Sequence, residues 1–238
     1  MPEGHLDPVG IWLWGDPEQI EDYLELGVVG IVTNTIVLDK MVDTYGTMIS
    51  TVERYLSLQD REPVVVEVDG DTTEDIMNAA HVFTELSSRV VLKIPTTTKG
   101  LRAVAHLRRE GHDSMVTTMF SASQAVAAAA AGAAYVAPFI GPTIASGADT
   151  FQIIGDMVQV LRDRPGSPYI AAGIVRNVLA ADVAIRAGCD GIVISPDAYE
   201  EMLLHPGTAE WNATFRRHWD SMVSRGALEG AVEELVRG

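Results

Sequence analysis

Eight short apolar runs recur along the chain, and each is followed by a longer amphipathic stretch. The runs are GIWLW (10–14), VGIVT (29–33), VVVEV (64–68), VVLKI (90–94), SMVTT (114–118), AYVAP (134–138), YIAAG (169–173) and GIVIS (191–195). Continuous apolar runs of this length suit parallel strands covered on both faces. The stretches between them carry helical spacing: PEQIEDYLELG, VLDKMVDTYGTMISTVERYLSL, TTEDIMNAAHVFTELSS, TKGLRAVAHLRREG, SASQAVAAAAAGA, DTFQIIGDMVQVLRDR and NVLAADVAIRAG. Several begin at Asp, Thr or Ser and stop at Gly, as capped helices do. Eight such alternations predict an α/β fold, a (β/α)8 TIM barrel, with a doubly wound open sheet as second choice. PDAYEEMLLH, TAEWNATFRRHWDSMV and ALEGAVEELVRG add C-terminal helices, an extension over about 205–238. The 238 residues suit one barrel domain spanning 1–238. No Pro/Ser/Gly-rich linker or charge block marks a boundary.

Composition narrows the function. A net charge of −16 argues against nucleic acid, which demands clustered Lys and Arg, and reads as an acidic, solvated surface. One cysteine, Cys189, allows no internal disulfide and suits a reducing compartment, here the cytoplasm. The opening MPEGHLDPVG shows no basic region followed by an apolar run, so no signal peptide is expected. The alanine-rich stretch 125–141 is broken by Gly132 and Pro138 and reads as a helix followed by a strand, with no role in a membrane. The phosphate-binding patterns GxGxxG and GxxxxGK[ST] are absent, as is a GxSxG elbow near Ser121 and Ser123,. The six histidines show no ligand spacing, so no metal site is expected.

Within this pattern VVLKIPTT places a cation in the middle of a buried strand. Only three of the 17 basic residues are lysine: Lys40, Lys93 and Lys99. Arginine carries the ordinary charge, and Lys93 stands where arginine could not do one particular job. A desolvated lysine has a lowered pKa. Its neutral amine attacks a carbonyl carbon to form a Schiff base, which arginine does not do. Barrel chemistry sits at the C-terminal strand ends, and the polar residues expected there are few. They are Thr33 and Asn34, Glu67, Lys93, Thr117 and Thr118, Arg176 and Asn177, and Ser195. Glu67 and Thr117 are candidates to relay protons through a water, and Asn34 to bind a substrate hydroxyl. Blander readings stand beside these: Lys93 reaching past the strand end to solvent, Glu67 as its structural ion-pair partner, Asn34 as a helix cap.

These residues resemble the transaldolase family, and most of all its small fructose-6-phosphate aldolase-like branch. The likeness runs from about residue 11 to 220. It includes LELGVVGIVTN (24–34), VVVEV (64–68), VVLKIPTTTKGLRAV (90–104), VTTMFSASQAVAAAAAGAAYVAPFIG (116–141), AAGIVRN (171–177) and AGCDGIVIS (187–195). The resemblance implies a (β/α)8 barrel without metal or organic cofactor. It also implies Lys93 as Schiff-base lysine, Glu67 as acid, Thr117 as water-holding hydroxyl, and Asn34 and Arg176 as binding groups. A homo-oligomer assembled through the C-terminal helices is implied as well. The departures fall at the substrate. Trp14 stands where the family's first strand carries Asp, with Asp16 nearby. Met115 replaces an Asn, Ala137 and Gly173 replace serines, and Pro142 replaces the phosphate-binding Arg.

The expected function is therefore a class I aldolase or transaldolase-like enzyme acting on a small carbonyl compound. Arg176 is left to hold one anionic group, a carboxylate or a phosphate, and Trp14 to pack on substrate or fill the barrel. Two alternatives stay open: imine chemistry other than aldol cleavage, and a barrel that binds a ligand or partner without catalysis.

Overall fold

The β-branched runs leave little choice but strands, because side chains apolar on both faces need cover on both faces. In the computed structural model, which describes residues 9–162, 164 and 166–227, all eight runs pair in parallel and close a barrel in the order β1 to β8. The first half reads β1 (Gly10–Leu13), α1 (Pro17–Ile20) with a 3-10 turn (Glu21–Leu26), β2 (Gly30–Val32), α2 (Thr35–Tyr45) and α3 (Met48–Ser57). Next come β3 (Val64–Glu67), α4 (Thr73–Thr84), β4 (Val90–Pro95), α5 (Thr98–Glu110), β5 (Ser114–Met119) and α6 (Ala122–Ala131). Then follow β6 (Tyr135–Pro138), α7 (Ile140–Ala145), α8 (Thr150–Leu161), β7 (Tyr169–Val175), α9 (Val178–Ala187), β8 (Gly191–Ile194), α10 (Pro196–Leu203) and α11 (Pro206–Ser224).

Two stretches differ from expectation for local reasons. The segment expected as one helix after β2 divides at Gly46, whose φ of 90° ends α2. Thr47 and Ser50 then open α3 with reciprocal capping bonds,. Helix α7, between β6 and α8, was not expected; its N-cap, Phe139, supplies no side-chain cap. Apart from Ala227, ALEGAVEELVRG lies outside the described residues. The chain falls into two packing units, Met1–Tyr199 with the barrel and Glu200–Gly238. In the second, α11 carries no buried residue.

The barrel interior is built in layers. Near the N-terminal ends of the strands, Trp12, Tyr135 and Tyr169 meet edge to face, with centroids 5.6, 5.9 and 6.1 Å apart. Glycines on other strands make room for these rings. A Cβ on Gly30 would collide with the Trp12 ring and lie 2.9 Å from the Pro63 carbonyl oxygen. A Cβ on Gly10 or Gly191 would collide with the Tyr169 hydroxyl. That hydroxyl donates to the Asp190 carbonyl at 2.7 Å. Val32, Val65, Val91, Met115, Ala171 and Val193 are buried in one cluster with Trp12, and the two tyrosines pack against it. Register then decides what comes next: Lys93 stands opposite Glu67 on β3 and Met115 on β5.

The aromatic layer gives a direct test of this packing. Gly30→Ala is expected to cost about 1–3 kcal/mol through overpacking against Trp12. A lowered urea midpoint with unchanged slope would register that loss; an unchanged midpoint would show that the layer has slack.

Candidate active site

The C-terminal ends of the strands surround a cavity of about 310 Å³. Period-two alternation brings the polar residues there. Glu67 follows Val65 along the inner face of β3, Lys93 follows Val91 on β4, and Thr117 follows Met115 on β5,. The cavity is lined by Trp14, Asn34, Glu67, Lys93, Thr117 and Arg176 among others. Of the residues singled out in the sequence, these six and Thr118 are thus brought together.

Lys93 is only 6% exposed and does not reach out to solvent. Its Nζ donates to Glu67 Oε2 at 2.8 Å and to the Thr33 carbonyl at 3.0 Å. An ammonium has three donors, so one is left uncommitted. Burial pushes the Lys93 pKa below the ordinary lysine value of 10.5, and the Glu67 charge and hydrogen bond offset only part of that shift,. Glu67 is thus an ion-pair partner as well as a cavity wall.

Thr117 is fully buried, and its Oγ1 has no hydrogen-bond partner among the described residues. A buried hydroxyl on a cavity wall without a protein partner is a place for a water or a ligand atom. Asn34 serves two purposes. Its Oδ1 accepts from Val37 N at 2.8 Å and caps α2, which leaves its amide NH2 to the cavity. Arg176 follows β7 at the rim, exposed, and makes no hydrogen bond or ion pair among the described residues. Trp14 is half-buried between the cavity and a neighbouring cleft.

Two predicted binding residues are placed elsewhere. Thr33 is fully buried and is not part of the cavity wall. Its Oγ1 donates to the Val65 carbonyl at 3.0 Å, and its own carbonyl receives Lys93. Ser195 lines the neighbouring cleft, where its Oγ accepts from Ala198 N at 3.3 Å at the start of α10. Asp16 caps α1 by accepting from Glu18 N at 3.0 Å and is not part of the cavity wall.

Several wall residues escaped the sequence reading. Phe139 was legible in principle, because the inward period of β6 runs 135, 137, 139. Thr118 was noted only as a strand-end hydroxyl, and Ile174 was not foreseen at all. Both hold positive φ, 61° and 55°, where the β5–β6 and β7–β8 registers shift. Such conformations cost about 1–3 kcal/mol each for residues other than glycine, and no composition signal announces them. Both residues line the cavity. Among the described residues, no group of three or more His, Cys, Asp or Glu could hold a metal ion.

The Lys93–Glu67 pair sets a pH-dependent stability. Glu67→Ala leaves a buried ammonium without its counter-charge and is expected to cost on the order of 3 kcal/mol at neutral pH. A lysine whose folded pKa is depressed binds fewer protons folded than unfolded, so stability rises with pH up to about 10.5,. The deficit of the variant should therefore shrink as pH rises into that range, as urea midpoints at several pH values would reveal. A deficit independent of pH would mean that lost packing, not charge, is responsible.

Comparison with known proteins identifies a family. Residues 15–233 match the family model described as Transaldolase/Fructose-6-phosphate aldolase. A probable transaldolase of Lactiplantibacillus plantarum is 33% identical over 203 residues, covering 85% of this chain and 92% of its own. A probable transaldolase of Streptococcus equi subsp. zooepidemicus is 32% identical over 205 residues, covering 86% and 94%. One from Streptococcus pyogenes serotype M5 is 31% identical over 198 residues, covering 83% and 91%. The chain belongs to the transaldolase/fructose-6-phosphate aldolase family.

Proposed function

We propose that this protein is a class I aldolase or transaldolase-like transferase that makes or breaks a carbon–carbon bond beside the carbonyl of a small hydroxy-carbonyl or sugar-like compound. The observation that carries this reading is the buried Lys93 amine, in contact with a single carboxylate at the cavity wall. Proton transfer from Nζ to Glu67 leaves a neutral amine. The amine adds to the substrate carbonyl, and the carbinolamine loses water to give the imine. As Glu67, through the water, takes the proton of the β-hydroxyl, the protonated imine accepts the electron pair of the bond between the α- and β-carbons, releasing an aldehyde and leaving an enamine. Protonation or addition to a second aldehyde restores the imine, and water hydrolyses it. Glu67 shuttles protons, Thr117 Oγ1 holds the water, Asn34 donates to a substrate oxygen, and Arg176 holds one anionic group. No cofactor or metal is assigned to the reaction.

Trp14, in place of a strand-1 acid, and the engagement of Asp16 as a cap favour a second reading: imine chemistry that ends in isomerisation, dehydration or condensation. One experiment separates the readings. The protein is treated with borohydride and a panel of ketones and aldehydes, neutral, carboxylated and phosphorylated, and the peptides are mapped. An adduct on Lys93, absent in Lys93→Ala, is expected, and its rate should rise with pH to a plateau with a midpoint below 10.5. Trapping without carbon–carbon exchange would favour the second reading. No adduct across the panel would leave a binding barrel without catalysis.

We also read the protein as cytoplasmic and homo-oligomeric. The free Cys189 is buried, its thiol pushed up to about 12 by burial, and among the described residues no helix is long and apolar enough to cross a membrane. Helix α11 exposes Trp211, Phe215, Trp219 and Met222 along one stripe, which supports assembly through this helix. Trp211→Glu with Phe215→Glu should convert the oligomer to a monomer in light scattering; an unchanged mass would move the interface elsewhere.

A further inference from the structure

We infer that the carbonyl compound accepted here carries an apolar group, branched alkyl or aromatic, on the side away from the imine carbon. This inference rests on the reading of Lys93 as the imine-forming residue. The cavity has two unlike halves. Strands β2 to β5 and their C-terminal ends bring Asn34, Glu67, Lys93, Thr117 and Thr118, with Val32, Ile36 and Val37 beside Asn34. Strands β6, β7, β8 and β1, contiguous because the barrel closes, bring Ala137, Phe139, Ile174, Val193 and Trp14. Met115 extends the apolar surface beneath them. On that second half the side-chain polar atoms are the Trp14 indole nitrogen and the guanidinium of exposed Arg176, which stands at the rim.

The apolar half is built firmly. Phe139 is held edge to face by Phe120, with centroids 5.7 Å apart at 75°. The ring lies against Gly173, where a Cβ would meet Phe139 Cδ1 at 3.4 Å, an ordinary contact. Ile174 keeps a strained φ of 55° on the same wall, and Gly141 makes room for it, since a Cβ there would lie 2.7 Å from the Ile174 carbonyl oxygen. Strain retained at a cavity wall points to a side chain set in place for a purpose. A polyhydroxylated chain brings a hydroxyl on each carbon. Each one buried against this wall without a partner costs about tenfold in affinity, whereas an alkyl or phenyl group loses nothing there and leaves water. The cavity, at about 310 Å³, is at the small end of ligand sites, so the apolar group is a single ring or a short branched chain.

The test uses the full chain, with hydroxyacetone as donor and benzaldehyde or glyceraldehyde as acceptor. The expected result is a kcat/KM at least tenfold higher for benzaldehyde. Ala137→Ser with Gly173→Ser, which places hydroxyls on the apolar wall, should shrink that ratio at least fivefold while circular dichroism stays unchanged. A borohydride adduct on Lys93 together with preference for glyceraldehyde would overturn the substrate class and leave the Schiff-base reading standing. A ratio unmoved in the double variant would overturn the assignment of the wall. If no carbonyl compound gives an adduct, the Schiff-base reading fails. Calorimetry with 4-phenylbutan-2-one and erythrulose then decides: tighter binding of the phenyl ketone upholds the apolar wall, and equal or weaker binding overturns it.

Discussion

The contact between Lys93 Nζ and Glu67 Oε2, at 2.8 Å, is the interaction around which the rest of the barrel is arranged. Two unlike charges this deeply buried stabilise folding only if their geometry is good and their remaining donors are satisfied,. The parallel register of β3 and β4 supplies the geometry by setting the two residues side by side. The Thr33 carbonyl supplies a further acceptor, and Thr33 is itself fixed by its hydroxyl bond to Val65. A residue outside the cavity thus positions the amine inside it. Desolvation weakens the lysine's hold on its proton, and in the proposed mechanism the adjacent carboxylate takes it.

Stability and chemistry pull apart along the barrel axis. The N-terminal layers are aromatic and aliphatic side chains in close contact, and they hold the strands in register. The strain sits at the other end, in the bulges at Thr118 and Ile174. A rigid base tolerates strained residues at the mouth because the surrounding pairing leaves them no easier conformation. Bulges beside active sites re-aim side chains in this way.

The fold was legible because the signal repeats. Eight β-branched runs, each closed by a cap and a helix, constrain the topology jointly even where single boundaries drift, as at Gly46. Lys93 was legible because a lone lysine in an apolar strand is chemically out of place. Asn34 shows where reading a residue as either cap or ligand fails, since it caps α2 and lines the cavity together. Thr33 and Ser195 were misplaced because proximity to a strand end does not fix where a side chain turns. Inward period places Asn34, not Thr33, toward the cavity, and the first turn of α10 draws off the Ser195 hydroxyl. The bulges were beyond reach, since β-branched residues give no hint of a positive φ. They arise from the closure of the whole barrel.

The ring of Trp12, Tyr135 and Tyr169 at the base has a consequence for traffic. With that end filled by aromatic side chains, a small chamber is left that opens at the mouth. In a two-substrate reaction run through a covalent carrier, the first leaving fragment has to clear that mouth before the second partner comes in. The covalent carrier sets the ping-pong order of such an exchange, and three rings far from any bond being made leave both fragments the same door.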